Sequence, residues 1–272
     1  MNHMTSNNNV WPCVLGGVAL GAASALALAH AWRPVACQKK TNAPRRGLRV
    51  AVVLSGCGVY DGAEVQEATA ALFHLSKAEA SVRCFAPDKA QHHVVDHTKG
   101  AEMDETRNVL VESARIARGE IAALASLDAA AFDALVIPGG FGAAKNLCNH
   151  ATVAQGDKAK LVVEPAVERA VAAFAAQGKP IGLCCIAPVI AAALIPGVHV
   201  TVGRAEGEQW PYGGTVGAVK AYGGIHEETG ADGVCVDRQR KVVTSCAYMF
   251  AGAPHEIYES VGLMVAETLA LC

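Results

Sequence analysis

Short apolar runs that alternate with helical segments constrain the fold of this chain most strongly. Four of them have the length and β-branched character of buried strands: residues 48–55 (LRVAVVLS), 81–87 (SVRCFAP), 133–138 (DALVIP) and 181–184 (IGLC). Sequence of helical composition lies between them over residues 62–77, 105–118 and 163–177. This alternation predicts an α/β fold built on a mostly parallel sheet.

The C-terminal third continues the same domain. Residues after Val189 run through Gly- and Pro-rich connections, then two β-type runs at 233–237 and 241–246, and a final helix over about residues 254–271. We find no internal repeat or low-complexity tract. The sequence therefore predicts a single domain over residues 48–272.

The first 47 residues differ in kind from the rest. Residues 13–32 are uncharged and long enough to cross a bilayer as a helix, though their Ala and Gly content makes them only weakly hydrophobic. No Asp or Glu precedes Asp61, whereas Arg and Lys follow the apolar run. We predict a targeting or anchor segment with a linker over residues 1–47, with a mitochondrial presequence favoured. A signal anchor that associates with the membrane through residues 13–32 is the alternative.

Charge and cysteine usage narrow the function classes. The formal net charge is −2 and no basic cluster is interleaved with aromatic residues, so a nucleic-acid surface is not predicted. The ten cysteines form no CxxC pair, which indicates free thiols in a reducing compartment. His92, His93 and His97 have no Cys or carboxylate at a zinc spacing, so we expect loop histidines, with no metal and no cofactor. These observations leave chemistry on a small molecule as the expected function.

Cys185 is the strongest candidate for a reactive group. An apolar strand directly precedes it, and an Ala-rich helix with Pro188 in its first turn directly follows it. This pattern predicts a nucleophile elbow, in which backbone N–H groups and the helix dipole favour negative charge on sulfur. Cysteine is also commonly buried as a small hydrophobe, and Cys184 is assigned that role because alternation turns it into the core.

The same turn provides donors for an oxyanion. The amide of Ile186 is the first candidate, because it directly follows the thiol. The second is the amide of Gly140, in a Gly-Gly turn that ends the strand DALVIP and lets the backbone approach a ligand closely.

Seven motifs carry a resemblance to a known family. They are SGCGVYDGAE (55–64), CFAPDK (84–89), ETRNVL (105–110), ARGE (117–120), PGGFGAAKNL (138–147), CIAP (185–188) and AYM (247–249). Together they resemble the ElbB-type branch of the PfpI-like family, in the class I glutamine amidotransferase-like superfamily. The resemblance covers nearly the whole chain from Leu48.

The resemblance implies a flavodoxin-like three-layer sandwich with helices on both faces of the sheet, a homodimer, and a reactive Cys at the elbow. Relatives include glutathione-independent glyoxalases, reported deglycases, chaperones and proteases, and the ElbB name carries a suspected link to isoprenoid biosynthesis. In PfpI-like glyoxalases the thiol is paired with a Glu of the helix after the first strand. That position corresponds to Glu67, with Glu64 as the alternative.

The resemblance also places candidate pocket residues, and it leaves the histidine of a glutaminase triad in doubt. Tyr60, Asp61, Asn108 and Asn146 lie in matching motifs, although turn and cap roles would explain them as well. Pro254 and the helical sequence after His255 indicate a helix start rather than a triad loop, so His255 with Glu256 is a weak triad candidate. His226, in a Gly-rich connection, is the other histidine that we expect near the pocket.

Without a clear histidine, the site suits reactive aldehydes better than glutamine, since a thiolate attacks aldehydes without prior activation. We therefore predict a glyoxalase-type or deglycase-like enzyme in which Cys185 adds to a small aldehyde and Glu67 moves a proton. The alternatives are a non-catalytic cysteine redox sensor and a partner-dependent amidotransferase-like subunit.

Overall fold

The structure is a computed structural model that describes residues 47–154 and 156–272, which belong to one compact unit. The strands are β1 (Arg49–Val53), β2 (Ser81–Ala86), β3 (Val95–Asp96), β4 (Ala101–Glu102), β5 (Ile121–Ala123), β6 (Ala134–Ile137), β7 (Ile181–Cys184), β8 (His199–Val200), β9 (Ile225–His226), β10 (Val234–Asp237) and β11 (Val242–Ser245). The helices are α1 (Val65–Lys77), α2 (Val109–Ile116), α3 (Phe141–Lys145), α4 (Pro165–Ala176), α5 (Pro188–Leu194), α6 (Thr215–Tyr222) and α7 (Pro254–Ala270).

The main sheet has seven strands in the order β10-β11-β7-β6-β1-β2-β5. Every neighbouring pair is parallel except β10 with β11 at one edge. Helices α1 and α7 pack against each other, and α7 also contacts β7 and β11, while α4 contacts β6 and β7. This architecture confirms the prediction of a flavodoxin-like α/β sandwich with a mostly parallel sheet.

The central strands are apolar on both faces because helices cover both. Strands β6, β7 and β11 are buried at every position, and β1 at every position after Arg49. Such strands read as continuous apolar runs rather than as alternating ones, which is why the sequence signal for them is strong. The carboxyl ends of β1, β6 and β7 lie side by side, and the loops that leave them meet there.

Element boundaries differ from the sequence-based ones by a few residues. Helix α1 begins at Val65 rather than near Gly62, because the Glu64 side chain caps its N-terminus. Helix α2 begins at Val109 rather than at Glu105, with Asn108 as its cap. Helices α3 and α6 were not predicted, since one has only five residues and the other lies in Gly-rich sequence.

The predicted targeting or anchor segment, including residues 13–32, lies outside the described residues. Within the described residues, none of the helices has both the length and the apolar content that a bilayer crossing requires. The boundary between residues 47 and 48 therefore stays a prediction.

Candidate active site

Cys185 occupies a sharp turn between β7 and α5. Its backbone has a φ of 59°, in the left-handed region, which costs a non-glycine residue roughly 1–2 kcal/mol. Its N–H donates to the Ser245 carbonyl at 3.0 Å, and the Ala187 N–H donates to the Cys184 carbonyl at 3.1 Å, so both sides of the turn are fixed. The turn places the thiol at the carboxyl edge of the sheet, where it is 7% exposed.

Glu67 reaches the thiol from the first turn of α1. Its side chain is fully buried and lies next to the Cys185 side chain, since a Cβ on Gly139 would touch both. Two backbone amides hold the carboxyl group: the Tyr248 N–H donates to Oε1 at 3.0 Å, and the Gly139 N–H donates to Oε2 at 3.1 Å. The Cys184 thiol lies 3.9 Å from Oε2 on the core side. The carboxyl is therefore fixed against the thiol by the main chain of two separate loops.

Glu64, the alternative partner, has a different place. Its Oε2 accepts the backbone N–H of Glu67 at 2.6 Å as the cap of α1, and it also lines the pocket described below. Burial raises the pKa of Glu64, and the backbone amides of the first helical turn oppose that rise. Glu64 thus orients the turn that carries Glu67 and contributes negative charge close to it.

Burial dominates the electrostatics of the pair. It raises the pKa of Glu67 to about 8, with a further rise from the charge of Glu64 and an opposing effect from the hydrogen bonds. Burial also raises the pKa of the Cys185 thiol, with further rises from Glu67 and Cys184, while a hydrogen bond from the Gly140 backbone opposes them. The expectation of a thiol that ionises readily is therefore corrected. Desolvation outweighs the amide donor at the elbow and favours the protonated form of both groups.

Glycines make this close approach possible. A Cβ on Gly139 would lie 2.5 Å from the Cβ of Cys185 and 2.7 Å from Oε2 of Glu67. A Cβ on Gly140 would lie 2.3 Å from the Glu64 nitrogen, and the φ of Gly140 is 92°. The turn after β6 therefore admits only glycine at both positions.

The two predicted oxyanion donors lie on either side of the thiol. Gly140 directs its backbone hydrogen bond to the Cys185 sulfur, and Ile186 directly follows Cys185 and lines the pocket. Their role as donors to an oxyanion stays a prediction, as do the catalytic roles of Cys185 and Glu67.

A pocket of about 680 Å³ opens above the thiol. Most of its lining is apolar or aromatic. The lining residues are Val59, Tyr60, Glu64, Gly140, Phe141, Ala144, His150, Ala151, Val153, Cys185, Ile186, Pro211, Tyr212, Thr215, Tyr248, Met249, Phe250, Ala251 and Gly252. The segment after β11 contributes one continuous wall, from Tyr248 to Gly252.

Of the predicted pocket residues, only Tyr60 lines this pocket, and the placement of two others is corrected. Asp61 is buried and its Oδ2 accepts the Val95 N–H at 2.8 Å. Asn146 is buried and donates to the carbonyls of Ser55 and Asp61, both at 2.9 Å. The hydrogen bonds of both side chains hold loops behind the site, because buried polar groups need hydrogen-bond partners.

Asn108 and His226 are likewise outside the lining. Asn108 caps α2 by accepting the Val111 N–H at 3.1 Å. His226 lies in β9, where its Nε2 accepts the Val202 N–H at 3.3 Å. His255 is exposed in the first turn of α7, and so the structure gives it no contact with the thiol.

The remaining candidate groups are accounted for individually. The Nε2 of His97 accepts the Tyr60 N–H at 3.2 Å, and His93 pairs with Glu102 at 3.2 Å. Across residues 47–154 and 156–272, no three His, Cys, Asp or Glu side chains converge as a metal ion would require, and every cysteine there is free.

Sequence reasoning missed the aromatic wall and the amide of Tyr248. Phe141, Tyr212 and Phe250 come from three segments distant in sequence, which only the folded chain brings together. The AYM motif did mark the segment of Tyr248 through the resemblance, but nothing in it shows that a main-chain N–H would hold Glu67.

Comparison with known proteins places the chain in a family, although no protein-family model matches it. It is 53% identical over 234 residues to the rat protein named "ES1 protein homolog, mitochondrial", covering 85% of this chain and 86% of that one. It is also 53% identical over 233 residues to the human "Glutamine amidotransferase-like class 1 domain-containing protein 3, mitochondrial", covering 85% of each.

A solved structure supports the same assignment. The crystal structure of an isoprenoid biosynthesis protein with an amidotransferase-like domain, from Ehrlichia chaffeensis, superposes with a TM-score of 0.74 at 34% identity. The match covers 83% of this chain and 100% of that one. The chain therefore belongs to the family of the ES1 and glutamine amidotransferase-like class 1 domain-containing 3 proteins, within the class I glutamine amidotransferase-like superfamily.

Proposed function

We propose that this protein is a cysteine-dependent enzyme of glyoxalase type that converts α-oxoaldehydes into hydroxy acids. One observation carries the proposal: the Cys185 thiol lies next to the buried Glu67 carboxyl at the base of a pocket, beside the Gly140 amide. A thiol, a proton-transfer group and an amide donor are the parts that this reaction uses.

The reaction needs no external oxidant or reductant. Glu67, once ionised, takes the thiol proton as the sulfur of Cys185 bonds to the aldehyde carbon, and it passes this proton to the aldehyde oxygen, which becomes the hydroxyl of a hemithioacetal. Glu67 then moves the proton of that carbon to the adjacent carbonyl carbon, while the hydroxyl proton passes to the adjacent carbonyl oxygen, which leaves a hydroxyacyl thioester. Water attacks the thioester, breaks the C–S bond, returns the proton to sulfur and releases the hydroxy acid. The overall reaction consumes one α-oxoaldehyde and one water molecule and gives one hydroxy acid.

The raised pKa of Glu67 suits this role. A carboxyl that titrates near 8 is a stronger base, once ionised, than an exposed one, and it also holds a proton long enough to return it. Gly140 and Ile186 are proposed to stabilise the oxygen that gains charge as the thiol attacks.

The histidines argue against a glutaminase. His255 is exposed on α7, and among the described residues His150 alone of the histidines lines the pocket. Its Nδ1 is hydrogen-bonded to the Tyr222 hydroxyl at 2.8 Å, and burial lowers its pKa. A Cys-His-Glu triad therefore lacks a histidine beside the thiol.

We further propose membership of the ElbB-type branch, a mitochondrial location and a homodimer. The ElbB-type branch is supported by the motifs and by the name of the Ehrlichia protein, and the mitochondrial location by the names of the mammalian relatives. The homodimer rests on the resemblance alone.

The decisive measurement is the consumption of methylglyoxal and the formation of lactate by the wild type, Cys185→Ala and Glu67→Gln. We expect both variants to lose at least about 100-fold in kcat/KM, the usual effect of removing a nucleophile or a proton-transfer group. Equal rates in all three would refute the proposal.

Two other outcomes would indicate the alternative functions. Selective oxidation of Cys185 by peroxide without turnover of aldehyde would indicate the redox sensor. Release of ammonia from glutamine would indicate the amidotransferase-like subunit.

A further inference from the structure

The pocket is much larger than a three-carbon aldehyde requires. Its volume of about 680 Å³ lies within the range of about 300–1,000 Å³ over which pockets enclose drug-sized ligands. Methylglyoxal bound to Cys185 would occupy only the base of the pocket. The walls beyond it would stay unused.

Those walls are built from rings and aliphatic groups. Phe141 and Tyr212 lie edge to face, with ring centroids 6.1 Å apart. Phe250 packs against Trp210 at 5.1 Å, which fixes the ring that faces the pocket. Rings held in place in this way favour an apolar or aromatic ligand group, because they pay little conformational entropy when they bind it.

The lining of the pocket disfavours a substrate that carries a carboxylate or a phosphate. No Lys or Arg lines it in the part of the chain that the structure describes. The Lys145 ammonium group, which is outside the lining, donates to the Tyr60 carbonyl at 2.9 Å and lies over the Phe141 ring. The ionisable groups in the lining include Glu64, whose charge would repel an anion. A carboxylate or phosphate would thus be desolvated without a cationic partner in the lining.

We propose that the Cys185 pocket selects neutral α-oxoaldehydes with an aryl or branched-alkyl body, in preference to methylglyoxal and to anionic analogues. This inference rests on the proposed function for its chemistry, and on the ring-lined, cation-free walls for its selectivity. The carbonyl carbon meets the thiol at the base of the pocket, and the apolar body lies between Phe141, Tyr212 and Phe250.

Turnover tests the selectivity directly. Methylglyoxal, phenylglyoxal and 4-carboxyphenylglyoxal would be compared by kcat/KM, each divided by its rate of addition to a free thiol. We expect phenylglyoxal to exceed both others by about tenfold or more, since tenfold corresponds to a ring contact of about 1.4 kcal/mol. Equal corrected values for methylglyoxal and phenylglyoxal would overturn the inference and leave the proposed function in place.

Two variants of pocket residues test whether the aromatic walls cause the preference for phenylglyoxal. Phe250→Ala removes a wall, and Ala251→Trp fills the pocket from an exposed position. Each is expected to lower the ratio of phenylglyoxal to methylglyoxal turnover about tenfold. Ala266→Trp, on the exposed face of α7 and outside the lining, is the matched control and should leave that ratio unchanged. An unchanged ratio in both pocket variants would contradict the assignment.

Measurements of ligand binding test this inference separately from the proposed function. Calorimetry on Cys185→Ala would compare acetophenone, acetone and 4-carboxyacetophenone, none of which needs turnover. If the wild type consumes no aldehyde but Cys185→Ala binds acetophenone preferentially, the proposed enzymatic function is refuted. The inferred preference for neutral aryl ligands would then still hold. Absence of that preference would overturn the ligand class whatever the wild type does with aldehydes.

Discussion

Glu67 and Cys185 are held by backbone groups, and among residues 47–154 and 156–272 no basic side chain offsets their burial. The carboxyl oxygens accept the amides of Tyr248 and Gly139, and the thiol receives the hydrogen bond of Gly140. Amide donors compensate only part of the desolvation, so both pKa values rise. Burial therefore favours the uncharged form of the pair, and the reactivity of the thiol depends on the loss of a proton from the pair.

This leads to a prediction for the pH dependence of Cys185 alkylation by iodoacetamide. The rate should rise about tenfold per pH unit below about 8 and then flatten, because Glu67 titrates there and can then accept the thiol proton. In Glu67→Gln that inflection should disappear. In Glu64→Gln it should move to lower pH, because the charge of Glu64 raises the pKa of Glu67.

Labelling followed by mass spectrometry between pH 6 and pH 10 measures these rates at Cys185 alone. Cys57, which is partly exposed, supplies an internal reference in the same samples. A profile that is identical in the wild type and Glu67→Gln would show that the carboxyl does not control the thiol.

At the scale of elements, the site depends on how closely three backbone segments meet. The loop before α1, the turn after β6 and the turn after β7 approach so closely that Cβ atoms do not fit between them. Gly142 is part of the same junction, since its N–H donates to the Gly62 carbonyl at 2.8 Å. Packing at this junction sets the distance between carboxyl and thiol.

We expect Gly139→Ala to destabilise the protein by about 1–3 kcal/mol, the usual cost of overpacking. It should also abolish turnover, because the added methyl group would push Cys185 and Glu67 apart. Gly217→Ala is the control: its Cβ would meet nothing within 4 Å, and it lies inside α6, where Ala is favoured over Gly by about 1 kcal/mol.

Thermal unfolding followed by circular dichroism, together with turnover, would measure both variants. A Gly139→Ala protein of wild-type stability and activity would mean that the junction relaxes without loss.

Most elements of the sheet and its main helices could be predicted from the sequence, because their signals are local. Strands β1, β6 and β7 are continuous apolar runs, and α4 and α7 have clear starts at Pro165 and Pro254. Helix α3 could not be predicted, since its start depends on the conformation of Gly140 and on a hydrogen bond from Phe141 to the Val59 carbonyl. Tertiary contacts, rather than local sequence, determine whether such short helices form.

At the scale of the whole molecule, the elbow could be predicted and the pocket could not. Cys185 lies in a local strand-turn-helix pattern, and the resemblance supplied Glu67. The pocket walls come from segments around residues 60, 141, 212 and 250, which are distant in sequence and carry no shared pattern. The polar residues Asp61 and Asn146 were predicted for the pocket, yet they fix loops behind it.

The boundary of the domain gives a prediction at this scale. Leu48 accepts the Ser81 N–H through its carbonyl at 2.8 Å, and Arg49 pairs with Asp133 at 2.9 Å, so pairing in the sheet begins there. Protein lacking residues 1–46 should therefore unfold in one transition within about 2 °C of the full chain, a shift below about 1 kcal/mol. Calorimetry measures this, and loss of the cooperative transition would place the boundary earlier in the sequence.

The segment after β11 has two duties at once. Its Tyr248 amide holds the Glu67 carboxyl, while the four residues that follow form a wall of the pocket. We expect a substitution that reshapes this wall to displace the amide as well, so that substrate range and catalytic competence change together. Replacing this stretch with that of a relative should transmit both traits as one unit, and double-mutant cycles between Phe250 and Glu67 should show strong epistasis.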